Sequence, residues 1–334
     1  HAEEDLPSAV ERARSEAKAS FADETVYIEK FVQKPRHIEV QVLFDRDGNG
    51  LALGERECSI QRRHQKLVEE TPSPCVGPED RQKLGELALA AAAAAGYVNA
   101  GTVEFLRDED GSFYFMEVNA RLQVEHPVTE EVYGCDLVKA QIRVAEGQPL
   151  PWRQDQIVPR GHAIECRITA EDPDRNFMPC PGRIEAVRAP SGPGIRDDSA
   201  AAPGYSIPLE YDPMVGKLIA QGANREEAIH RMRRGLDEYR LDGLTTNIPF
   251  LRRLMDHPAF VEGDLHTGFI DQHSDDLLHT SDPWLDEIAL IAAAVHGYRM
   301  RVKSALTQDE GAQQAPVSNW LRLGRARALG GTRR

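Results

Sequence analysis

The chain has 334 residues, of which 41% are hydrophobic and 28% charged, values ordinary for a soluble globular protein with a sizeable core and two or three domains. A formal net charge of -14 excludes a nucleic-acid-binding surface spread over the whole chain. The longest apolar run, Leu87 to Ala95, is about half the length of a membrane span, and no signal peptide is visible.

The first predicted element is an amphipathic helix over 5–19, followed by a strand over 25–32 (TVYIEKFV). HIEVQVLFD (37–45) and LALGERECSI (51–60) alternate around the turn residues 46–50 and predict a hairpin. Pro78 at a first helical position opens a helix that crosses the alanine block and stops at Gly96. Two strands follow, GTVEFLR and SFYFMEVNARLQVE, and Pro127 then opens a helix that ends near Gly147. After a Pro-rich joint (148–151) the texture turns to short strands over 160–221, closed by a helix from Arg225 to Tyr239. A further helical segment is predicted over 283–305. Arg322, Arg325, Arg327, Arg333 and Arg334 close the chain as a solvated basic tail, with a partner-binding segment as the second reading. Five cysteines (58, 75, 135, 166 and 180) without a CxxC pair predict reduced thiols in a cytosolic setting. The chain opens on His1, inside a helical pattern, and reads as a piece of a longer protein.

The stretch MEVNARLQVEHP (116–127) carries the chemistry. Read as a strand, it puts Glu117, Asn119, Arg121, Gln123 and Glu125 on one face, because side chains alternate with period two. A short loop before it sets Glu104 opposite Glu117. Two facing carboxylates repel unless a cation joins them, and Mg²⁺ is typically held by one or two carboxylates plus substrate phosphates. Asn119, one pleat on, adds an amide oxygen. The alternative is a pair of acids on a wet sheet face. The Arg121 fork suits a small oxyanion, and Glu125 is placed to take its proton. A structural Arg121–Glu125 ion pair is the competing reading. CSIQRRHQK (58–66) concentrates cations at a strand end, either a solvated loop or a phosphate-binding cluster. GHAIECRI (161–168) puts Glu165 and Arg167 on one face, by itself a surface strand with an ion pair.

YIEKFVQKPRHIEVQ, ERECSIQRRHQKLVEE, GTVEFL, FMEVNARLQVEHPVTE and GHAIECRITAEDP together resemble biotin carboxylase, of the ATP-grasp superfamily, from residue 1 to about 275. The resemblance implies an α+β fold: the C-terminal portion of an ATP-grasp unit with a biotin carboxylase C-terminal domain, and with the N-terminal α/β domain and most of the lid absent. It divides the chain into a lid remnant (1–31), an ATP-grasp core (32–148), a C-terminal domain (158–275) and a helical extension (276–334). It implies MgATP (or MnATP), bicarbonate and biotin carried on a protein. Glu29, Lys30, Val32, His37, Gln61, His64 and Leu106 fall at nucleotide positions, with Glu104 and Glu117. Glu104, Glu117 and Asn119 fall at metal positions. Lys66, Arg121, Gln123 and Val124 match the bicarbonate site, and Glu125 the base. Arg121 and Lys66 are also catalytic positions, and Arg167 matches the residue that binds the biotin ureido oxygen.

The implied function is ATP-dependent carboxylation of biotin, the first half-reaction of an acyl-CoA carboxylase of the acetyl-, propionyl- or methylcrotonyl-CoA type. The implied partners are a biotin carboxyl carrier, a carboxyltransferase subunit and a second copy of the chain, with no nucleic acid and no membrane. The setting is the cytoplasm or a mitochondrial matrix. The residues after 275 resemble the start of the linking region in longer α subunits. The glycine-rich loop that covers the phosphates in this family is not in the sequence, so these residues by themselves are expected to be inactive. Another ATP-grasp carboxylate ligase and a non-catalytic assembly module are the competing readings.

Overall fold

A computed structural model describes residues 3–208, 210–278 and 283–310. Its main unit, His1–Leu278, is built on an eight-stranded antiparallel sheet. The strands are β1 (Arg36–Phe44), β2 (Gly50–Arg62), β3 (Gln65–Thr71), β4 (Asn99–Arg107), β5 (Phe113–Asn119), β6 (His162–Thr169), β7 (Ile195–Ser199) and β8 (Met214–Gly222). Their order across the sheet is β7-β8-β6-β3-β2-β1-β4-β5. The antiparallel pairing of β3 with β6 joins the two halves of the unit into one surface.

Helices cover the sheet. Helix α1 (Leu6–Phe21) comes first, and none of its residues is buried. Helix α2 (Pro78–Ala94) packs Leu84, Ala88 and Ala92 against Ile38, Val40 and Val103. Its alanines let the helix lie close to the sheet. Helices α3 (His126–Tyr133) and α4 (Leu137–Ala145) bury Val128, Val132, Leu137 and Val144 against Leu43, Leu53 and Ala100. Helix α5 (Arg225–Glu238) buries Ile229, Met232 and Leu236 against Ile164, Ile168 and Leu218, and α6 (Ile248–Asp256) extends that core.

Three sequence expectations are corrected. Residues 25–32 form no strand. Tyr27, Ile28 and Phe31 are exposed and the segment has no ladder partner among the described residues, so β propensity alone does not hold it. The helix expected from Pro127 to Gly147 is two helices. Gly134, at φ +63°, ends α3, and the Asp136 side chain accepts from Lys139 N at 2.8 Å to start α4. The strand expected over 112–125 ends at Asn119. The chain then turns, and α3 begins at His126.

The helix Pro283–Glu310 belongs to a second unit and agrees with the helical segment expected over 283–305. The expected basic tail lies outside the described residues. All five cysteines are free thiols, and among the described residues no helix is long and apolar enough to cross a membrane.

Candidate active site

One cleft of about 440 Å³ collects most of the expected residues: His37, His64, Lys66, Glu104, Glu117, Asn119, Arg121, Gln123, Val124, Glu125 and Arg167. The β4–β5 register places Glu104 opposite Glu117, as the loop length predicts. Glu104 is buried and Glu117 is exposed to the cleft. The Asn119 amide nitrogen lies 3.1 Å from Glu117 Oε1. These are hard oxygen donors on one strand pair. That donor set fits a small divalent cation carried with a nucleotide's phosphates.

Because β5 stops at Asn119, Arg121, Gln123 and Glu125 do not continue its face. Arg121 is exposed, and its only hydrogen bond among the described residues is a long one (3.4 Å) to the Leu122 carbonyl. It makes no ion pair with Glu125. Gln123 turns inward: it donates to Glu104 Oε1 at 2.8 Å and accepts from Arg56 Nη2 at 3.0 Å. Glu125 is 2% exposed yet sits on the cleft wall between two cations. Lys66 Nζ donates to Glu125 Oε1 at 2.6 Å, and Arg167 Nη2 donates to Oε2 at 2.9 Å. The five groups therefore do meet in one cleft. The turn after Asn119 brings them there, and the pleat supplies only the first two.

Lys66 also touches Glu39 Oε2 at 2.6 Å and Glu104 Oε1 at 3.1 Å. Burial disfavours its charge, but Glu39 and the other surrounding carboxylates outweigh that and keep it protonated. Burial likewise pushes Glu104 up, but His37, Lys66 and Gln123 hold it far below the ordinary carboxylate range. His37 Nε2 lies 3.2 Å from Glu104 Oε2, and Gln61 Nε2 lies 2.8 Å from His37 Nδ1. Gln61 thus supports the cleft from behind its lining.

The cation cluster at 62–66 divides. Arg63 and His64 form a two-residue hairpin turn, both at positive φ, which sends Arg62 and Lys66 to different neighbours. Arg62 stacks on Phe177 and donates to Asn176, so it fastens the hairpin to the C-terminal part of the unit. Only Lys66 enters the cleft wall as a charge.

Of the expected nucleotide residues, Glu29 and Lys30 are exposed, and Lys30 Nζ donates to Tyr114 Oη at 2.8 Å and Asp108 Oδ2 at 3.2 Å. Val32 is buried. Leu106 pairs with His37 across β1 and β4. Beside them lies a second cavity, about 290 Å³, lined by Lys34, Arg36, Arg107, Leu265 and His266.

GHAIECRI is not a surface strand. Strand β6 lies between β3 and β8, so both of its edges are paired, and Glu165 is fully buried. Arg167 makes its ion pairs with Glu69 and Glu125. The sequence reading also missed Arg56, Glu39, Gln41 and Glu69. Arg56 is fully buried and bridges Glu39, Gln41, Thr129, Thr102 and Gln123. The alternation of His37, Glu39 and Gln41 with Ile38, Val40 and Val42 was the available signal, the same period-two rule that picked out 117–125.

Comparison with known proteins places the chain in a family. The family model for the carbamoyl-phosphate synthase L chain, ATP binding domain, matches residues 1–153, and that for the biotin carboxylase C-terminal domain matches 165–272. The biotin carboxylase of Nostoc sp. is 54% identical over 260 residues, 78% of this chain and 58% of that protein. The mitochondrial methylcrotonoyl-CoA carboxylase subunit alpha of Dictyostelium discoideum is 45% identical over 323 residues, 96% of this chain and 45% of that one. The crystal structure of the biotin carboxylase domain dimer of Hydrogenobacter thermophilus 2-oxoglutarate carboxylase, in complex with MgADP, ADP and bicarbonate, superposes with a TM-score of 0.79 at 45% identity. That match covers 83% of this chain and 61% of the other. The chain thus spans about half to three fifths of the length of these relatives. With both family models on its main unit and such relatives over most of its length, the chain belongs to the biotin carboxylase family of ATP-grasp proteins.

Proposed function

We propose that these residues are the bicarbonate- and biotin-facing part of a biotin carboxylase, which forms carboxyphosphate from bicarbonate and ATP and then carboxylates biotin on a carrier. The observation that carries this reading is the Glu125 carboxylate, held between Lys66 and Arg167 on the wall of a cleft that Glu104 and Glu117 also face.

In this reading the exposed Arg121 fork binds the bicarbonate oxygens, aided by Gln123 and the Val124 backbone. Glu125 accepts the bicarbonate proton, and the freed oxygen attacks the terminal phosphorus of ATP with ADP as leaving group. Lys66 and Arg56 counter the carboxylates that crowd the site, so an incoming anion is not repelled. Arg167 donates to the biotin ureido oxygen while the ureido nitrogen takes the carboxyl carbon from carboxyphosphate; the C–O bond to phosphate breaks, and the leaving phosphate carries off the ureido N–H proton. Glu104, Glu117 and Asn119 would hold the divalent cation, which would supply charge neutralisation for the nucleotide's phosphates. His37, Gln61, His64, Glu29, Lys30, Val32 and Leu106 serve the nucleotide, with its base directed to the second cavity.

The finer points belong to the same proposal. The carried biotin comes from a carrier domain or protein, a carboxyltransferase subunit takes the carboxyl group on, and two copies of the chain pair. The methylcrotonoyl-CoA relative's match over 96% of the chain favours an acyl-CoA carboxylase α subunit, in the cytoplasm or mitochondrial matrix. The lid remnant is assigned to 1–31, the ATP-grasp core to 32–148, the C-terminal domain to 158–275 and the extension to 276–334. Residues 1–334 alone are expected to show no useful turnover, since the relatives extend well beyond them. Steady-state assay with free biotin, bicarbonate and MgATP tests that expectation, and normal turnover would refute it.

A further inference from the structure

Glu69 on β3 and Glu165 on β6 are cross-strand partners, and both are fully buried. Facing side chains at such a pair leave their Cβ atoms about 4.5–5.5 Å apart. Glu69 Oε1 accepts from Arg167 Nε at 2.6 Å. Its Oε2, and both oxygens of Glu165, are buried without a hydrogen-bond partner. Three orphan oxygens on two facing carboxyls call for an explanation, because buried polar atoms are almost always paired and an unpaired buried charge is costly.

The charged groups around the pair do not supply one. Arg167 on β6, Lys66 on β3, Lys217 on β8 and Glu125 ahead of α3 are the ones that face it. Arg167 gives Nε to Glu69 and Nη2 to Glu125. Lys66 is taken by Glu39, Glu104 and Glu125. Lys217 Nζ donates to the Val124 carbonyl at 3.0 Å. None of these cations makes an ion pair or hydrogen bond with Glu165, although Lys217 and Arg167 lie near enough to favour its charge. A single proton placed between one Glu165 oxygen and the free oxygen of Glu69 pairs two of the three orphan atoms and removes one negative charge from the interior.

We propose that Glu165 is a neutral carboxylic acid that donates its proton to Glu69, and that the pair is the positioning support behind Arg167. Glu69 remains the anion that aims the guanidinium from behind, while Glu125 holds it from the front. Nη1 makes no hydrogen bond among the described residues and is left to donate to a ligand in the cleft. Burial, reinforced by the facing carboxylate, pushes Glu165 well above the ordinary range, and burial raises Glu69 to about 7, in keeping with one proton held between them. The functional part rests on the reading that Arg167 meets biotin; the shared proton does not.

Infrared spectroscopy of the 334-residue chain in D₂O at neutral pH tests the proton directly. The expected result is a protonated-carboxyl band that is lost in Glu165→Gln. No such band in the unsubstituted chain, or an unchanged band in that variant, overturns the proposal. Should Glu165→Gln fail to fold, ¹³C NMR of the unsubstituted, glutamate-labelled chain gives the same answer. A side-chain carboxyl still protonated at pH 7 supports the pair, and none overturns it.

The positioning role is read in a catalytically active protein containing these residues. Glu69→Gln is expected to raise KM for biotin about tenfold, the scale of losing a hydrogen bond to a charged group, with no matching rise in KM for ATP. Glu165→Ala raises it too, and Glu165→Gln, which keeps a neutral donor, restores it. Unaltered biotin KM in Glu69→Gln overturns the role of the pair. Failure of the biotin carboxylase reading would look different: the unsubstituted protein would not carboxylate biotin, while the infrared band would remain.

Discussion

Lys66 Nζ stands 2.6 Å from Glu125 Oε1 and 2.6 Å from Glu39 Oε2, so one ammonium joins the expected base to the carboxylate that anchors Arg56. Removing that cation leaves three buried acids, Glu39, Glu104 and Glu125, short of a counter-charge. Lys66→Met is therefore expected to cost about 3–5 kcal/mol, the range for breaking a buried ion pair from one side. Urea denaturation checks it: the midpoint should fall at unchanged slope. A loss below about 1 kcal/mol would mean that water or relaxation satisfies these carboxylates.

The acid limb of stability should be steep. Burial by itself would raise Glu39 and Glu70, but Arg56, Lys66 and His37 around the first, and Arg225 and His162 against the second, hold both down to about 2. Groups depressed in the folded state stabilise above their unfolded value of 4.5 and lose that contribution as pH falls towards 2. Glu69, which burial raises to about 7 in spite of Arg167, has the opposite sign, so its part declines as pH rises from 4.5 to 7. Denaturation midpoints from pH 2 to pH 8 should rise steeply to about 4.5 and then flatten or dip. Glu70→Gln should blunt the acid limb, and an unchanged limb would remove Glu70 from the account.

Gly54 sits at φ +76°, and a Cβ there would lie 1.9 Å from the Tyr133 hydroxyl. Tyr133 belongs to α3, which starts directly after Glu125. Gly54→Ala combines backbone strain with overpacking and is expected to destabilise by more than about 1 kcal/mol. Gly48, at φ +85° with nothing within 4 Å of its Cβ position, is the control for strain without overpacking. Thermal unfolding of both variants separates the two effects, and equal losses would show that Tyr133 moves aside at no cost.

Glu117 is exposed to the cleft, and among the described residues its side chain hydrogen-bonds to Asn119 only, so its loss should touch metal binding rather than folding. Electron paramagnetic resonance of free Mn²⁺ with residues 1–334 and ATP measures this. Glu117→Gln should weaken Mn²⁺ binding by roughly 10- to 100-fold, at least what loss of an outer-shell partner costs. Unchanged affinity would contradict the assignment of this strand pair to the cation.

Much of this was legible in the sequence where short-range rules decide the outcome. The facing of Glu104 and Glu117 follows from strand alternation and a short loop, both local. The turn after Asn119 is different. Strand β5 is an edge, paired on one side only, and Gln123 leaves its line to reach Arg56 and Glu104, partners 67 and 19 residues away. No window of sequence contains that competition. Strand β3 was missed because its two-residue turn is Arg63-His64, where the usual glycine or asparagine signal is lacking. Glu165 was read as exposed because period two distinguishes faces without saying which face is covered. The pairing of β6 with both β3 and β8 settles that.

Arg121 is where the proposed bicarbonate chemistry meets these strands. Its guanidinium is exposed and makes one long bond to its neighbour's carbonyl, so Arg121→Ala should leave stability within about 0.5 kcal/mol. The decisive measurement is carboxybiotin formation from labelled bicarbonate by a chimera in which residues 1–334 replace the matching segment of the Nostoc sp. biotin carboxylase, first shown to be folded and to bind MgATP. The account predicts carboxylation by this chimera and its abolition by Arg121→Ala with MgATP binding largely retained. Carboxylation that survives Arg121→Ala, or a folded, nucleotide-binding chimera that forms no carboxybiotin, would contradict it.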